Sequence, residues 1–306
     1  MRKHMLALLA VFLLLFMAGC GSSSAATSGS SAAKGVSGAA VQPLTVKMLD
    51  VGQGDCLLIR TAEQTILIDT GDLDEHEKLR AALKKEKVTT VDKLIITHPH
   101  ADHLGGASVV LKECQVRAVY DNGQPATAKF YRDYLKEVKR QGIAYKTLRD
   151  GDTLDFGGGV SFQVLSPTQD MVAAGEAAKD KKDKPNLNDN SVVGRLVYGS
   201  FSMLFTGDCE AEYEKEILRR HGGELRSTLL KAPHHGSKNA SSLAYLKAVQ
   251  PEAVLISLGA GNEYGHPHKA AMDRYAKQKI QVYRTDLQGT LTVTSDGKGY
   301  EIKGEK

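Results

Sequence analysis

Tryptophan is absent from the 306 residues, and the other aromatics are few, 11 tyrosines and 7 phenylalanines. A platform for stacking a nucleobase would have to be built from Tyr or Phe. Cysteine is scarce as well: Cys20, Cys56, Cys114 and Cys209. With Cys20 assigned to a leader, the odd remainder is a poor disulfide framework. Cys56 and Cys209 adjoin apolar strand-like runs and read as buried thiols. No Cys-x-x-Cys metal pattern occurs. A strong charge of either sign is missing too. The 40 Lys and Arg nearly balance the 36 Asp and Glu, leaving +4, too little to argue for nucleic acid without a local patch. What remains, 42% hydrophobic and 25% charged residues, is ordinary globular composition with length for one large domain or two small ones.

A long apolar run occurs at the start. Arg2, Lys3 and His4 precede residues 6–17, a stretch suited to a signal-peptide core and short for a membrane span. Ala18-Gly19-Cys20 follows. The segment resembles a bacterial lipoprotein lipobox, with Met17 where leucine is usual. The resemblance implies cleavage before Cys20 and lipidation of Cys20. The other reading is an uncleaved anchor helix, and both place the rest outside the cytoplasmic membrane. Residues 21–43 are rich in Ser, Ala, Gly and Thr and read as a flexible tether.

Structured sequence is expected over 44–303. Strands are expected at 45–51, 56–60, 64–69, 93–97, 116–120, 144–148, 153–156, 160–165, 191–198, 202–206, 227–231, 253–257, 281–284, 290–294 and 300–303. Helices are expected at 75–87, 104–113, 129–140, 210–221, 242–249 and 269–277. The polar stretch 175–190 reads as a surface loop beside a site. This order suggests two sheets packed face to face with helices outside, a four-layer α/β domain.

The sharpest feature is Thr97-His98-Pro99-His100-Ala101-Asp102-His103, after an apolar strand. In extended chain, residues two apart point the same way, so His98 and His100 address one point. The turn at Asp102-His103 carries two further ligands toward a second. Imidazole with carboxylate suits zinc, manganese or iron. Phe205-Thr206-Gly207-Asp208 places a carboxylate past another strand, either as a bridge between two metals or as a helix N-cap. Lys231-Ala232-Pro233-His234-His235-Gly236-Ser237 ends a third strand. His235 is preferred as the ligand, with His234 left to orient or to touch substrate. Asp50, Gln53 and Asp55 form a tight Gly-rich turn read as mainly structural, with lining of the cleft as the other reading.

At these residues the chain resembles the metallo-β-lactamase superfamily, and more narrowly the extracellular domain of ComEC-type competence DNA-uptake proteins. Matching stretches are 49–55, 67–71, 98–106, 188–193, 206–208, 234–237, 264–268 and 283–286. The resemblance implies an αββα sandwich with a metal pair at one edge. His98 and His100 match ligands of the first metal, Asp102, His103 and His235 those of the second, and Asp208 the bridge. Asp69 matches a residue that orients the His-x-His loop. One departure is plain: no histidine lies between His103 and Asp208 to complete the first site. Asp189, Asn190 or water would fill that gap, which would favour manganese over zinc there.

Such a metal pair, roughly 4 Å apart, would supply hydroxide from a bridging water and neutralise a phosphate oxygen. Asp102 is assigned to orient or deprotonate that water. His268 is assigned as a catalytic leaving-group contact, and His234, Ser237, Lys238 and Asn190 as substrate contacts. Arg284 is expected to pair with a local carboxylate. The expected activity is phosphodiester hydrolysis, with DNA the first substrate and two divalent ions, zinc or manganese, as cofactors. Alternatives are a cell-wall teichoic acid phosphodiesterase and a non-catalytic metal- or nucleic-acid-binding module. β-Lactam hydrolysis ranks low because of the missing histidine. No multi-helix membrane region accompanies the domain, so the expectation is a hydrolase module and not a pore.

Overall fold

Alternation of apolar and polar residues makes strands, and β1 shows it: Leu44, Val46 and Met48 are buried while Thr45 and Lys47 turn partly outward. In the computed structural model, residues 43–177 and 187–306 are described, all within one unit, Ala40–Lys306. The leader, Cys20 and nearly all of the tether lie outside the described residues.

Chain order runs β1 (Leu44–Met48), β2 (Leu57–Arg60), β3 (Thr65–Ile68), α1 (His76–Lys85), β4 (Thr90–Val91), β5 (Lys93–Ile95), α2 (Ala101–Leu104), α3 (Ala107–Glu113), β6 (Gln115–Val116) and β7 (Ala118–Asp121). It continues α4 (Lys129–Arg140), β8 (Ala144–Thr147), β9 (Thr153–Asp155), β10 (Val160–Ser166), α5 (Gln169–Ala177), β11 (Val193–Tyr198), β12 (Phe201–Phe205), α6 (Ala211–His221) and β13 (Leu229–Lys231). Last come α7 (Leu243–Val249), β14 (Ala253–Ile256), α8 (Lys269–Lys277), β15 (Gln281–Arg284), α9 (Thr285–Gln288), β16 (Leu291–Ser295) and β17 (Tyr300–Gly304).

Two sheets result. One has the order β17-β16-β1-β2-β3-β5-β7-β8, the other β15-β14-β13-β12-β11-β10-β9, and β4 pairs with β6 apart from both. Three apolar cores define the layers. Val46, Ile59, Ile68, Phe162, Met203 and Leu255 belong to the core between the sheets. Leu58, Leu67 and Leu94 of the first sheet pack with Leu79, Val110 and Tyr134 of α1, α3 and α4. Leu204, Leu230 and Val254 of the second pack with Ile217, Leu246 and Tyr275 of α6, α7 and α8. Helices therefore cover both outer faces, as the element order suggested. No helix among the described residues is long and apolar enough to cross a membrane.

Two local readings change. The expected helix at 104–113 is two helices, because the chain turns at Gly105-Gly106, where any Cβ would collide with the backbone of Asp72, Leu73 or Thr70. The expected loop at 175–190 starts as the end of α5 and finishes in a 3-10 turn, Leu187–Asn190; residues 178–186 lie outside the described residues. Cys56 and Cys209 are free buried thiols, as expected, Cys114 is free and buried as well, and Arg284 pairs with Asp286.

What positions the site is the direction of the strands. β3 and β5 run parallel in one sheet, and β12, β13 and β14 run parallel in the other. The segments leaving their C-terminal ends supply Asp69, His98–His103, Asp208, His234–His235 and Ser257. Open α/β sheets gather their sites at such strand ends.

Candidate metal centre

Ligand atoms of Asp102, His103, Asp208 and His235 lie within 4.8 Å of one another. His103 Nε2 is 3.2 Å from Asp208 Oδ2 and 3.7 Å from Asp102 Oδ2. His235 Nε2 is 3.2 Å from Asp102 Oδ2 and 3.5 Å from Asp208 Oδ2. Three of the four residues are almost wholly buried; Asp102 alone reaches solvent, with a side chain 20% exposed.

The other ring nitrogens decide which atoms face this point. His103 Nδ1 is 2.8 Å from Asp69 Oδ2. His235 Nδ1 is 2.7 Å from the carbonyl oxygen of Ser257, an acceptor only, so in the neutral ring Nδ1 carries the proton and Nε2 is the nitrogen left with a lone pair for a cation. Both Nε2 atoms are buried without a hydrogen-bond partner. Buried polar atoms are ordinarily satisfied. Two orphaned imidazole nitrogens beside two carboxylates form a donor set of the kind that binds a divalent cation, so the residues fit the group. His234 differs: Nδ1 faces Glu210 Oε1 at 3.0 Å, Nε2 is 3.8 Å from Asp208 Oδ2, and the side chain is 23% exposed. The tautomer argument thus selects His235 of the pair.

His98 and His100 form a neighbouring pair, with His98 Nε2 3.0 Å from His100 Nδ1. Thr97 Oγ1 donates to Asp69 Oδ2, so it accepts from His98 Nδ1 at 3.1 Å, which leaves the His98 Nε2 lone pair toward His100. The side chain of Asn188 hydrogen-bonds His100. Among the described residues no third imidazole, thiol or carboxylate joins these two at ligand-sharing distance. The gap read from the sequence is therefore present in space. Asp208 turns Oδ2 to the cluster, and its Oδ1 lies 3.6 Å from Lys231 Nζ.

Charge explains the balance. Burial works against charge throughout, yet His103 and His235 hold Asp102 and Asp208 below the usual carboxylate range. The carboxylates in turn raise His103 well above its ordinary value and push His235 up to about 10 in the metal-free protein. Burial and the neighbouring His103 keep His98 and His100 low and neutral, the form a metal ligand needs.

Backbone shape serves the same end. Asp69, His234 and His235 all have φ between 49° and 61°, a left-handed conformation uncommon for non-glycine residues. At Gly54, φ is 107° and a Cβ would strike the carbonyl oxygen of Asp102. That close approach lets Asp55 N donate to Asp102 O at 3.0 Å, tying the Gly-rich turn to the ligand loop.

Other expected site residues sort less evenly. Asn190 is fully buried and gives its amide to Gln124 Oε1 at 2.8 Å, so it does not line the cleft as expected. Ser237 is also buried and accepts from Asn239 N at 3.3 Å, stabilising its own turn. Lys238 is exposed. His268 begins α8 and accepts from Lys238 N at 3.1 Å through Nδ1, which makes it a brace for the loop. Asp69 accepts from Thr97 N and Thr97 Oγ1, both at 2.7 Å, as well as facing His103, and so holds the ligand loop as expected.

Lys231 and His266 had no assigned role from sequence, and Asp55 had one mainly as a turn residue. Lys231, about 1% exposed, pairs with Asp55 Oδ2 at 2.5 Å and donates to Gly207 O at 2.9 Å. Asp55 carries that charge and is not merely a turn residue; its signal was an acid in a turn and a lysine inside an apolar strand. His266 packs against both His234 and His235, with ring centroids 5.5 and 6.1 Å away. Burial and these imidazoles lower its pKa to about 4.

Comparison with known proteins agrees with this geometry. Residues 49–260 match the metallo-beta-lactamase superfamily. The chain is 31% identical over 265 residues to ComE operon protein 3 of Bacillus subtilis, covering 80% of this chain and 32% of that protein. It therefore spans about a third of that relative's length. It is 24% identical over 210 residues to exodeoxyribonuclease WalJ of Streptococcus pneumoniae, covering 67% of this chain and 77% of that one. In fold it matches CmlA, a diiron beta-hydroxylase from Streptomyces venezuelae, with TM-score 0.52 and 15% identity over 83% of this chain and 54% of that one. Converging ligands, strand-end placement and sequence match lead to one statement: the chain belongs to the metallo-β-lactamase superfamily and is related to ComEC-type competence proteins.

Proposed function

We propose that the protein is a metal-dependent phosphodiesterase that cleaves DNA outside the cytoplasmic membrane, held there by a lipid on Cys20 and a tether over 21–43. The observation that carries the reading is the pair of unpartnered nitrogens, His103 Nε2 and His235 Nε2, facing Asp102 and Asp208. The relationship to a competence protein and to an exodeoxyribonuclease supports DNA as the substrate.

Asp102, His103, Asp208 and His235 would hold one divalent ion, zinc or manganese, and His98 with His100 a second, more weakly. Ions held there would acidify a water and neutralise a phosphoryl oxygen. The protein's own residues do the rest. Asp102, the ligand open to solvent, accepts the proton of the attacking water at a carboxylate oxygen. His234, oriented by Glu210, lies beside the cluster where a non-bridging phosphate oxygen would be met. Lys238 adds a cation at the rim for the chain of phosphates.

Metal-loaded protein should cleave single- or double-stranded DNA. If bis-p-nitrophenyl phosphate is hydrolysed while both DNAs stay intact with manganese and with zinc, DNA is not the substrate. Localisation is tested by replacing Cys20 with alanine, which should release the protein from the membrane fraction.

A further inference from the structure

Large apolar side chains left exposed among the described residues are Tyr145, Tyr264 and Leu287. Tyr145 gives its hydroxyl to Asp121 Oδ1 at 2.7 Å, at the sheet edge. Tyr264 is 54% exposed and stands beside the metal centre. Its ring lies 5.8 Å from that of His266, tilted by only 20°. The His266 ring lies 6.1 Å from that of His235, tilted by 27°. Three rings, each tilted by no more than 27° from the next, thus lead from an imidazole of the candidate metal centre to the exposed Tyr264.

The loop that carries this ladder is held in place. Asn262 Oδ1 accepts from His266 N at 3.0 Å, and Asn262 Nδ2 donates to His266 O at 2.8 Å and to Gly259 O at 3.0 Å. His268 N donates to Gly236 O at 3.0 Å, which joins the loop to the turn bearing His235. Tyr264 thus keeps its ring open to water on a loop that is itself hydrogen-bonded in place. Partial burial and the nearby carboxylates of Asp102, Asp72 and Glu263 raise its hydroxyl pKa, so the phenol stays neutral and the ring lies within electrostatic reach of the solvent-facing ligand.

We propose that Tyr264 is the stacking platform for a nucleobase next to the scissile phosphate, with His266 as its backing. The inference rests on the phosphodiesterase reading and narrows its substrate to base-bearing strands. A single flat face suits a planar base. A quaternary ammonium calls for several aromatic walls, and no second exposed aromatic stands beside Tyr264 among the described residues. Stacking on one ring tolerates any base, so the subsite selects nucleic acid without selecting sequence.

The absence of tryptophan makes the test direct. In full-length Tyr264→Trp, residue 264 is the sole indole. With metal withheld so the strand stays whole, oligothymidylate should quench its emission and bind roughly tenfold more tightly than an abasic oligomer of equal length and charge. In the metal-loaded protein, Tyr264→Ala should raise KM for oligothymidylate about tenfold with kcat little changed, and Tyr264→Phe should restore it. Equal quenching and affinity for the two oligomers overturns the proposal, as does tighter binding of phosphocholine than of thymidylate. Selective quenching without DNA cleavage upholds the subsite and removes the nuclease reading. Cleavage with equal quenching does the reverse.

Discussion

Lys231 Nζ lies 2.5 Å from Asp55 Oδ2, both side chains about 1% exposed, beside the carboxylate of Asp208. The lysine stands at the end of β13 and the aspartate in the turn between β1 and β2, so the pair joins the two sheets under the metal centre. Each charge is tolerable there because of the other.

Removing one partner should therefore cost far more than removing a surface charge. Lys231→Met leaves Asp55 and Asp208 without their buried cation and should destabilise the fold by about 3–5 kcal/mol. Adding Asp55→Asn should recover part of the loss. Urea unfolding of the two variants measures this, and a single variant as stable as the native protein would show that the pair carries little.

Asp69 holds His103 through Nδ1 and the ligand loop through Thr97. Asp69→Asn should weaken metal binding by about 10- to 100-fold, because the orientation and basicity of His103 depend on that carboxylate. Competition with a coloured chelator reads the change directly. Unchanged affinity would mean that His103 is positioned by its own backbone alone.

Metal content should separate the two groups of ligands. Asp208→Ala and His235→Ala each remove one of four converging ligand atoms and should abolish tight binding. His100→Ala should lose only the weaker equivalent and still purify with one ion. Elemental analysis after dialysis decides this, and equal loss in all three variants would indicate one shared site.

The slope of stability against pH should depend on metal. In metal-free protein, burial opposes the charge on His235, but Asp208, Asp55 and Asp102 outweigh it, so its folded value of about 10 exceeds the ordinary 6.5. The folded state then holds a proton that the unfolded chain has lost. That stabilisation is complete below pH 6.5 and fades as pH rises toward 10, by about 1.4 kcal/mol per unit. With metal bound, His235 is deprotonated in the folded protein as well, so it should add no slope above pH 6.5, and stability should rise with pH only below that value, where the unfolded chain still holds the proton. Thermal scans with and without chelator test both slopes.

Local patterning carried much of the fold. The helices at 129–140 and 269–277 and the strand at 281–284 match their expected bounds, because their apolar spacing has one consistent period. The break at Gly105-Gly106 was hidden, since the glycines yield there to the backbone of a distant turn at 70–73. The ligand motifs were equally legible, because adjacent imidazoles and carboxylates past apolar strands have few other uses. Asn190 misled for the opposite reason. Its position in the chain suits the cleft, but the 3-10 turn at Leu187–Asn190 buries it against Gln124 and Met171.

The sequence by itself determined which residues are candidates to bind metal and that two apolar sheets would have to pack together, since both follow from residue type and spacing along one segment. The tertiary structure alone decided that His235 and not its neighbour turns Nε2 inward, that a buried lysine answers Asp55, and that Tyr264 ends a ladder of rings beside the site. Those outcomes depend on what a remote segment offers: the Ser257 carbonyl just past β14, a turn from the other sheet, a loop some thirty residues past the histidine pair. Such partners meet only when the strand ends of both sheets close on one edge.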